Sequence, residues 1–404
     1  MLDAYVFDGL RSPFGRSGGG LSGIRPDDLL AEVMKPLLAR SPFSPDSIDD
    51  VIVGCSNQAG EDSRCVARHA LLQAGLPVTV PGTVIQRNCG SGLGAVASAA
   101  HALTAGEAAV ILSGGVESMS RAPFVIGKQA QPFARTLVWH DSAVGARFPN
   151  PALEAVHGGD SMPQTADNLA VEHDISREAA DAFALRSQQG WAAAQAAGHF
   201  AAEVTPITVP GGRRKPDVVV ETDEHPRPDT TPEGLAKLRA LNAGGVTTAG
   251  NASGLNDGAV ALMMATRTAG EAAGARPMAR VLATAVAGVA PRIMGFGPVP
   301  AARKALARAG LTLADMTVIE INEAFAAQVI ACLRGLGLDD EDPRVNPNGG
   351  AIAIGHPLGA SGPRILLNAI HETRRRGGQY ALVSMCIGVG QGIAVVLEVF
   401  PDAV

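Results

Sequence analysis

Four short stretches carry side chains that could do chemistry. Cys89 lies in VIQRNCGSGLGAV, where a strand-like run gives way to glycines and then to an apolar helical run, AVASAAHAL. A thiol at a helix N-terminus meets free backbone N–H groups and the positive end of the helix dipole, and both favour the thiolate. A free cysteine near pKa ~8.5 is only a few per cent ionised at neutral pH, so a lowered pKa is expected of a nucleophile here. His356 is the one ionisable side chain of NPNGGAIAIGHPLGASG. Its small neighbours suggest room for a ligand, and an imidazole there could take a thiol proton or donate from Nε2 to an oxyanion.

Cys386 opens CIGVGQG. The glycines after it bare backbone N–H groups, above all at Gly388, that could cradle an anion. A second cysteine near the first suits an acid/base thiol, and a buried core cysteine is the plainer alternative. GVGQG lacks the spacing of a dinucleotide fingerprint, and no acidic residue follows some twenty positions on. Asn322-Glu-Ala-Phe325 ends the strand-like VIEIN, and polar groups at the end of a strand face the ligand crevice of an open sheet. Asn322 could hold a water aimed at a carbonyl oxygen. Glu323 could equally cap the next helix. The small polar stretch TTAGNASGLNDGA (247–259) could receive an amide-bearing ligand tail through Ser253, or be a long loop.

The elements that must position these residues alternate between strand-like and helix-like, as in an α/β protein. The chain also repeats. Val51–Cys55 and Val318–Asn322 follow similar helical runs and acidic turns, and Cys89 and His356 each open a glycine-rich turn into a helix. The offset is 267 in both cases (318 − 51 and 356 − 89). The repeat predicts two halves of one topology about a pseudo-twofold, with Cys89 and His356 in equivalent places near the interface. The first half is expected over 1–119 plus 249–270 and the second over 271–404. Between them, 120–248 reads as an inserted loop domain covering the site. It carries the basic run Arg213-Arg-Lys215 and one clear helix from the N-cap Ser176 to Gly198. His101 and His371 fall mid-helix and are read as structural.

Composition narrows the partners. The 404 residues are 46% hydrophobic and 18% charged, with net charge −6 and 4% aromatics, which disfavours nucleic acid and anionic membrane. No secretory signal, membrane-length apolar run or peroxisomal C-terminus is visible, so the cytoplasm is expected. Five cysteines without a C-x-x-C pair argue against a disulfide framework and against zinc.

Together, NCGSG at Cys89, NEAF at Asn322, GHPLGASG at His356 and C-x-G-x-G at Cys386 resemble the thiolase family, in the family's order. The similarity runs from RSPFGRSGGGL near the start to the final strand. The resemblance implies two βαβαβαββ halves in a five-layered αβαβα core, assembled as a dimer at least and as a tetramer of two dimers. It implies an acetyl-CoA C-acyltransferase with coenzyme A as co-substrate and no tightly bound cofactor. Cys89 would be acylated, His356 would activate it, and Cys386 would move the proton at the α-carbon. Asn322, through a water, and His356 would form one oxyanion hole; the N–H groups of Cys89 and Gly388 would form the other. Ser253 would contact pantetheine, Met162 would line the acyl/pantetheine tunnel, and Arg227 would lie near adenine. One departure is visible: many thiolases have Asn three residues before the nucleophile, where this chain has Gln86, and Asn88 stands where an apolar residue is common.

Within the family, NQAGEDSRCVAR (57–68), ESMSRAPFVIGK (117–128), DSMPQTADNLA (160–170), DAFALRSQQ (181–189) and DEHPRPDTT (223–231) look most like 3-oxoadipyl-CoA thiolases of aromatic catabolism. An acetoacetyl-CoA or broad 3-ketoacyl-CoA thiolase is the alternative. A ketosynthase-type condensing enzyme and a non-catalytic acyl-CoA-binding relative are weaker rivals. A distal carboxylate calls for a cation, with Arg64, Arg68, Arg121, Arg135 and His140 as candidates.

Overall fold

The computed structural model describes residues 2–129, 131–211 and 216–401; the basic run Arg213–Lys215 and the C-terminal tripeptide lie outside them. The first third of the chain contributes strands β1 (Tyr5–Arg11), β2 (Gly15–Arg16), β3 (Asp50–Gly54), β4 (Gly82–Ile85) and β5 (Val110–Ser118), with helices α1 (Pro26–Arg40), α2 (Val66–Gln73) and α3 (Ser91–Ala105). Residues 120–248 add the hairpins β6 (Phe124–Ile126) with β7 (Trp139–Asp141) and β8 (Ile207–Val209) with β9 (Val218–Val220). The same segment holds α4 (Pro151–His157), α5 (Met162–Glu172), α6 (Arg177–Ala196) and α7 (Pro232–Ala236). After β10 (Asn256–Ala265) and α8 (Arg267–Ala272) come β11 (Ala279–Gly288), α9 (Pro298–Ala309), β12 (Val318–Ile321), α10 (Ala326–Leu336), α11 (Ala351–Ile354), α12 (Leu358–Arg375), β13 (Tyr380–Ile387) and β14 (Gln391–Val399).

The strand order exposes the duplication. It runs β12-β13-β14-β11-β1-β10-β5-β3-β4, so β3-β5-β10-β1 on one side mirrors β12-β13-β14-β11 on the other. The seam is a short antiparallel pairing of β1 with β11, Tyr5 opposite Arg280 and Val6 opposite Ala279. Alternating side chains then build layers on both faces. In β10, Val260, Leu262 and Met264 join a central cluster with α3 and α12, while Ala259, Ala261 and Met263 pack under α1 and α2. In β14, Ile393, Val395 and Leu397 face the centre, while Ala394 and Val396 meet α9 and α10. Helices, sheet, helices, sheet, helices: these are the five layers. Each large aliphatic side chain so buried contributes about 1.5–3 kcal/mol.

Segment 120–248 is tied to this core by charge. Arg11, fully buried on β1, donates to Glu203 at 2.6 Å and to both Asp223 oxygens at 2.7 and 3.0 Å. Its longest helix, α6, begins where expected: the Ser176 hydroxyl accepts from Ala179 N–H at 3.2 Å, and Gly198 ends it at φ +73°.

The helix repeat holds to the residue. Gly90 caps α3 and Pro357 caps α12, so Cys89 and His356 each stand one residue ahead of an N-cap. The strand repeat does not hold at that offset. Val51 packs in an outer cluster and Val318 in the central one. A shift of an odd number of residues swaps every side chain between faces, so matching letters did not mark matching positions.

Candidate active site

Helices α3 and α12 meet backbone to backbone. A Cβ on Gly92 would lie 2.1 Å from the Gly359 carbonyl oxygen, and a Cβ on Gly362 would lie 2.6 Å from Leu93 N. Gly92 and Gly359 are three residues beyond Cys89 and His356, so the crossing carries both side chains to one end of the central layer. The glycines around His356 therefore serve contacts within the protein. At Gly355, φ is +106° and the Cβ position is filled by Asn256; at Gly359 it is filled by the carbonyls of Val116 and Gly54. They seat a helix, and the expectation that they clear room for a ligand is corrected.

His356 is buried and held at three points. Its N–H donates to Asn256 Oδ1 at 2.9 Å, Nδ1 lies 2.6 Å from Ser361 Oγ, and Nε2 lies 3.4 Å from Asn322 Nδ2. The Ser361 hydroxyl spends its one proton on Pro357 O at 2.9 Å. Its oxygen can then only accept from the imidazole, which places the proton on Nδ1 and leaves Nε2 unprotonated, its lone pair facing the Asn322 amide N–H. Burial, with the Arg364 guanidinium adding to it, holds His356 down to about 4. The imidazole is neutral at neutral pH, as a base must be. Asn322 is buried, its N–H donates to Ser384 O at 2.9 Å, and among the described residues its Oδ1 has no hydrogen-bond donor.

Cys89 is half-buried, and two N–H groups address its sulfur, those of Gly388 and of Cys89 itself. Burial outweighs them and pushes the thiol up to about 11, with the charge of Glu117 adding to the rise. The expected lowered pKa is thus reversed in the resting protein: the donors at the helix N-terminus do not offset desolvation. Cys386 is fully buried and is raised well above its ordinary value by burial, then by the nearby Cys89 and Cys332 sulfurs. It packs among Ala166, Ala252, Met294, Ala324 and Phe325.

Two other expected residues, Met162 and Ser253, lie against the Gly388 and NEAF loops. Met162 begins α5, and its sulfur lies 3.8 Å from where a Gly388 Cβ would stand. Ser253 N–H donates to Ala324 O at 2.9 Å, joining the small polar stretch to the NEAF loop. Arg227 is exposed, and its N–H donates to Gln188 Oε1 at 2.8 Å. Two residues earlier, His225 fills the space beside Gly254, and burial then the Arg227 charge lower it to about 4. Asn88 adopts φ +46°, accepts from Gln86 at 3.1 Å and donates to Gly388 O at 3.2 Å. The unusual residues beside Cys89 thus lock its turn to the Gly388 loop.

Glu323 is no helix cap. It is buried and accepts from Ser187 Oγ, Asn346 Nδ2 and Ile352 N at 2.6, 2.9 and 3.1 Å, while α10 starts from an N-cap at Phe325. Among the candidate cations, Arg68 is committed to the carbonyls of Val78 and Val80, and Arg121 to Glu61 and Ser22 O. Arg64 and Arg135 are exposed. His140 packs edge-on against Phe148, and its buried Nε2 has no hydrogen-bond partner among the described residues. The sequence reading missed Ser361 and Asn256. A serine five residues after His356, in the first turn of its helix, was the signal for the first.

Among the described residues no helix is long and apolar enough to cross a membrane. The chain matches the family model "Thiolase, N-terminal domain" over residues 4–268 and "Thiolase, C-terminal domain" over 275–399. It is 55% identical over 400 residues to a beta-ketoadipyl-CoA thiolase of Acinetobacter baylyi, covering 98% of this chain and all of the relative. It is 56% identical over 402 residues to the 3-oxoadipyl-CoA/3-oxo-5,6-dehydrosuberyl-CoA thiolase of Escherichia coli, with the same coverage. The fold is similar to the Bacillus anthracis acetyl-CoA acetyltransferase (TM-score 0.92, 38% identity, 99% of each chain). It is equally similar to human mitochondrial 3-ketoacyl-CoA thiolase in complex with CoA (TM-score 0.91, 42% identity, 99% of this chain and 98% of that one). The chain belongs to the thiolase family and is an acyltransferase.

Proposed function

We propose that this thiolase cleaves 3-oxoadipyl-CoA with coenzyme A through an acyl-enzyme on Cys89. The observation that carries the mechanism is the Ser361–His356–Asn322 alignment, which keeps Nε2 unprotonated and able to take a proton. As the sulfur attacks the 3-keto carbon, Nε2 takes the thiol proton; no preformed thiolate is needed. The bond between C2 and C3 breaks, and acetyl-CoA leaves as its enolate. Cys386 gives its proton to C2, the role its raised pKa suits. Coenzyme A then gives its thiol proton to the Cys386 thiolate and attacks the acyl-enzyme; His356 returns its proton to the departing Cys89 sulfur, and a shortened acyl-CoA that keeps the distal carboxylate is released.

The N–H groups of Cys89 and Gly388 serve as one oxyanion hole, worth a factor of about 10²–10³ per donor. A water donating to the free Asn322 Oδ1, with its second hydrogen toward the thioester oxygen, supplies the other together with His356. Residues 120–248 cover coenzyme A, with Met162 walling the tunnel and Arg227 at the adenine end; Ser253, just beyond that segment, meets pantetheine. Assembly into the tetramer covers Phe124, Ile126, Phe133 and Trp139, an apolar surface left exposed on the single chain. His140 is the candidate cation left with an open ring nitrogen for the distal carboxylate.

The substrate reading draws on the names of the two relatives and is tested by a thiolysis panel. 3-Oxoadipyl-CoA is expected to give the highest kcat/KM. An equal or higher value with acetoacetyl-CoA or a longer neutral 3-ketoacyl-CoA would overturn it.

A further inference from the structure

Glu117 stands near the end of β5, 1% exposed, with its carboxylate surrounded by backbone donors. Oε1 accepts from Asn57 N at 2.8 Å; Oε2 accepts from Ser56 N at 3.0 Å and Gly359 N at 2.9 Å. Ser56 and Asn57 lie in the loop after β3, in the first half. Gly359 is the second residue of α12, three beyond His356, in the other half. The first-turn N–H groups of Ala360 and Ser361 both return to the Pro357 carbonyl, so Gly359 hands its proton across to Glu117. One carboxylate therefore clamps the histidine-bearing helix onto the half that carries Cys89.

The side-chain type is demanding. Three donors converging on two oxygens need a group that only accepts, and an amide would turn its NH2 toward one of them. The surroundings oppose a carboxylate. Asp62 and the Cys55 thiol have ligand atoms within 4.8 Å of it and of each other, and the nearby Arg147 donates to Asn57 Oδ1 at 2.9 Å. Burial first, with Asp62 adding, lifts Glu117 to about 7. A carboxyl group kept in so costly a place, at the N-terminal end of α12, points to the geometry it enforces.

We propose that Glu117 is a positioning residue for His356: by tying Gly359 to Ser56 and Asn57 it fixes the distance from Nε2 to the Cys89 sulfur. This rests on the reading of His356 as the base for Cys89. The sequence places Glu117 in the ESMS stretch but hides its partners, which lie about sixty and 242 residues away.

The test uses the full-length enzyme with Glu117→Gln, scored per folded molecule. Misplacement of the base predicts that kcat and the rate of Cys89 alkylation by iodoacetamide both fall about 10- to 100-fold. KM for acyl-CoA should stay within about twofold, since no substrate contact is touched. Wild-type kcat, or a kcat loss without any slowing of alkylation, overturns the proposal. If Glu117→Gln does not fold, Glu117→Asp replaces it: the charge stays but the reach shortens, and the same two rates should fall by about 3- to 10-fold. Wild-type rates in that variant overturn the proposal equally. His356→Ala separates the two readings. Full alkylation and turnover in it remove the base assignment itself, whereas their loss beside a normal Glu117→Gln removes only the role of Glu117.

Discussion

A neutral thiol at Cys89 and a neutral imidazole at His356 are the resting states that burial imposes. Sequence alone pointed the other way, because helix ends are visible in a string of letters and desolvation is not. The tautomer has the same character: it depends on Ser361 passing its proton to Pro357 O, a contact within one helical turn. Ser361→Ala removes the acceptor for Nδ1–H and lets the ring turn or change tautomer. We expect kcat to drop about 10- to 100-fold, less than the loss of the acid–base group itself, with KM for CoA unchanged. Steady-state kinetics check this, and an unchanged kcat would show that Asn322 and the surrounding packing orient the ring without help.

At the scale of elements, the contact of α3 with α12 decides where the chemistry happens. Gly359 touches the carbonyls of Val116 and Gly54 so closely that an added Cβ would lie 2.4 and 2.6 Å from them. Backbone cannot swing aside as a flexible side chain can. Gly359→Ala is expected to cost about 1–3 kcal/mol or more in urea unfolding and to lower kcat in the fraction that folds. A variant as stable and active as the wild type would mean the helices have slack. The helix repeat was legible because Cys89 and His356 each precede a glycine-rich first turn, a local signal. The strand repeat misled by one register, since Val51 and Val318 look alike while their faces are set by neighbouring layers. The glycines of GHPLGASG were legible as special, but the close approach they allow is to Leu93, Val116 and Asn256, residues remote in sequence.

Across the whole molecule, the two halves enclose charges that the unfolded chain would expose. Glu320, fully buried on β12, accepts from Asn368 at 2.7 Å through Oε1, and among the described residues its Oε2 has no hydrogen-bond partner. Burial raises it from 4.5 to about 8, with the Arg364 charge opposing. The folded chain keeps a proton that the unfolded chain releases over that range. This contribution to stability is therefore complete below about pH 4.5 and is lost as pH rises through about 8. Glu320→Gln keeps the Oε1 acceptor and cannot ionise. Its melting temperature should match the wild type near the acid end of that range and exceed it increasingly toward the alkaline end; a constant difference would place the titration elsewhere. The same enclosure brings both halves to a single sulfur, and that is the central claim. Incubation with acetyl-CoA alone, followed by peptide mass analysis, tests it most directly. One acetyl group on the peptide containing Cys89, absent in Cys89→Ser, is the expected result; the label on Cys386 instead would contradict the account.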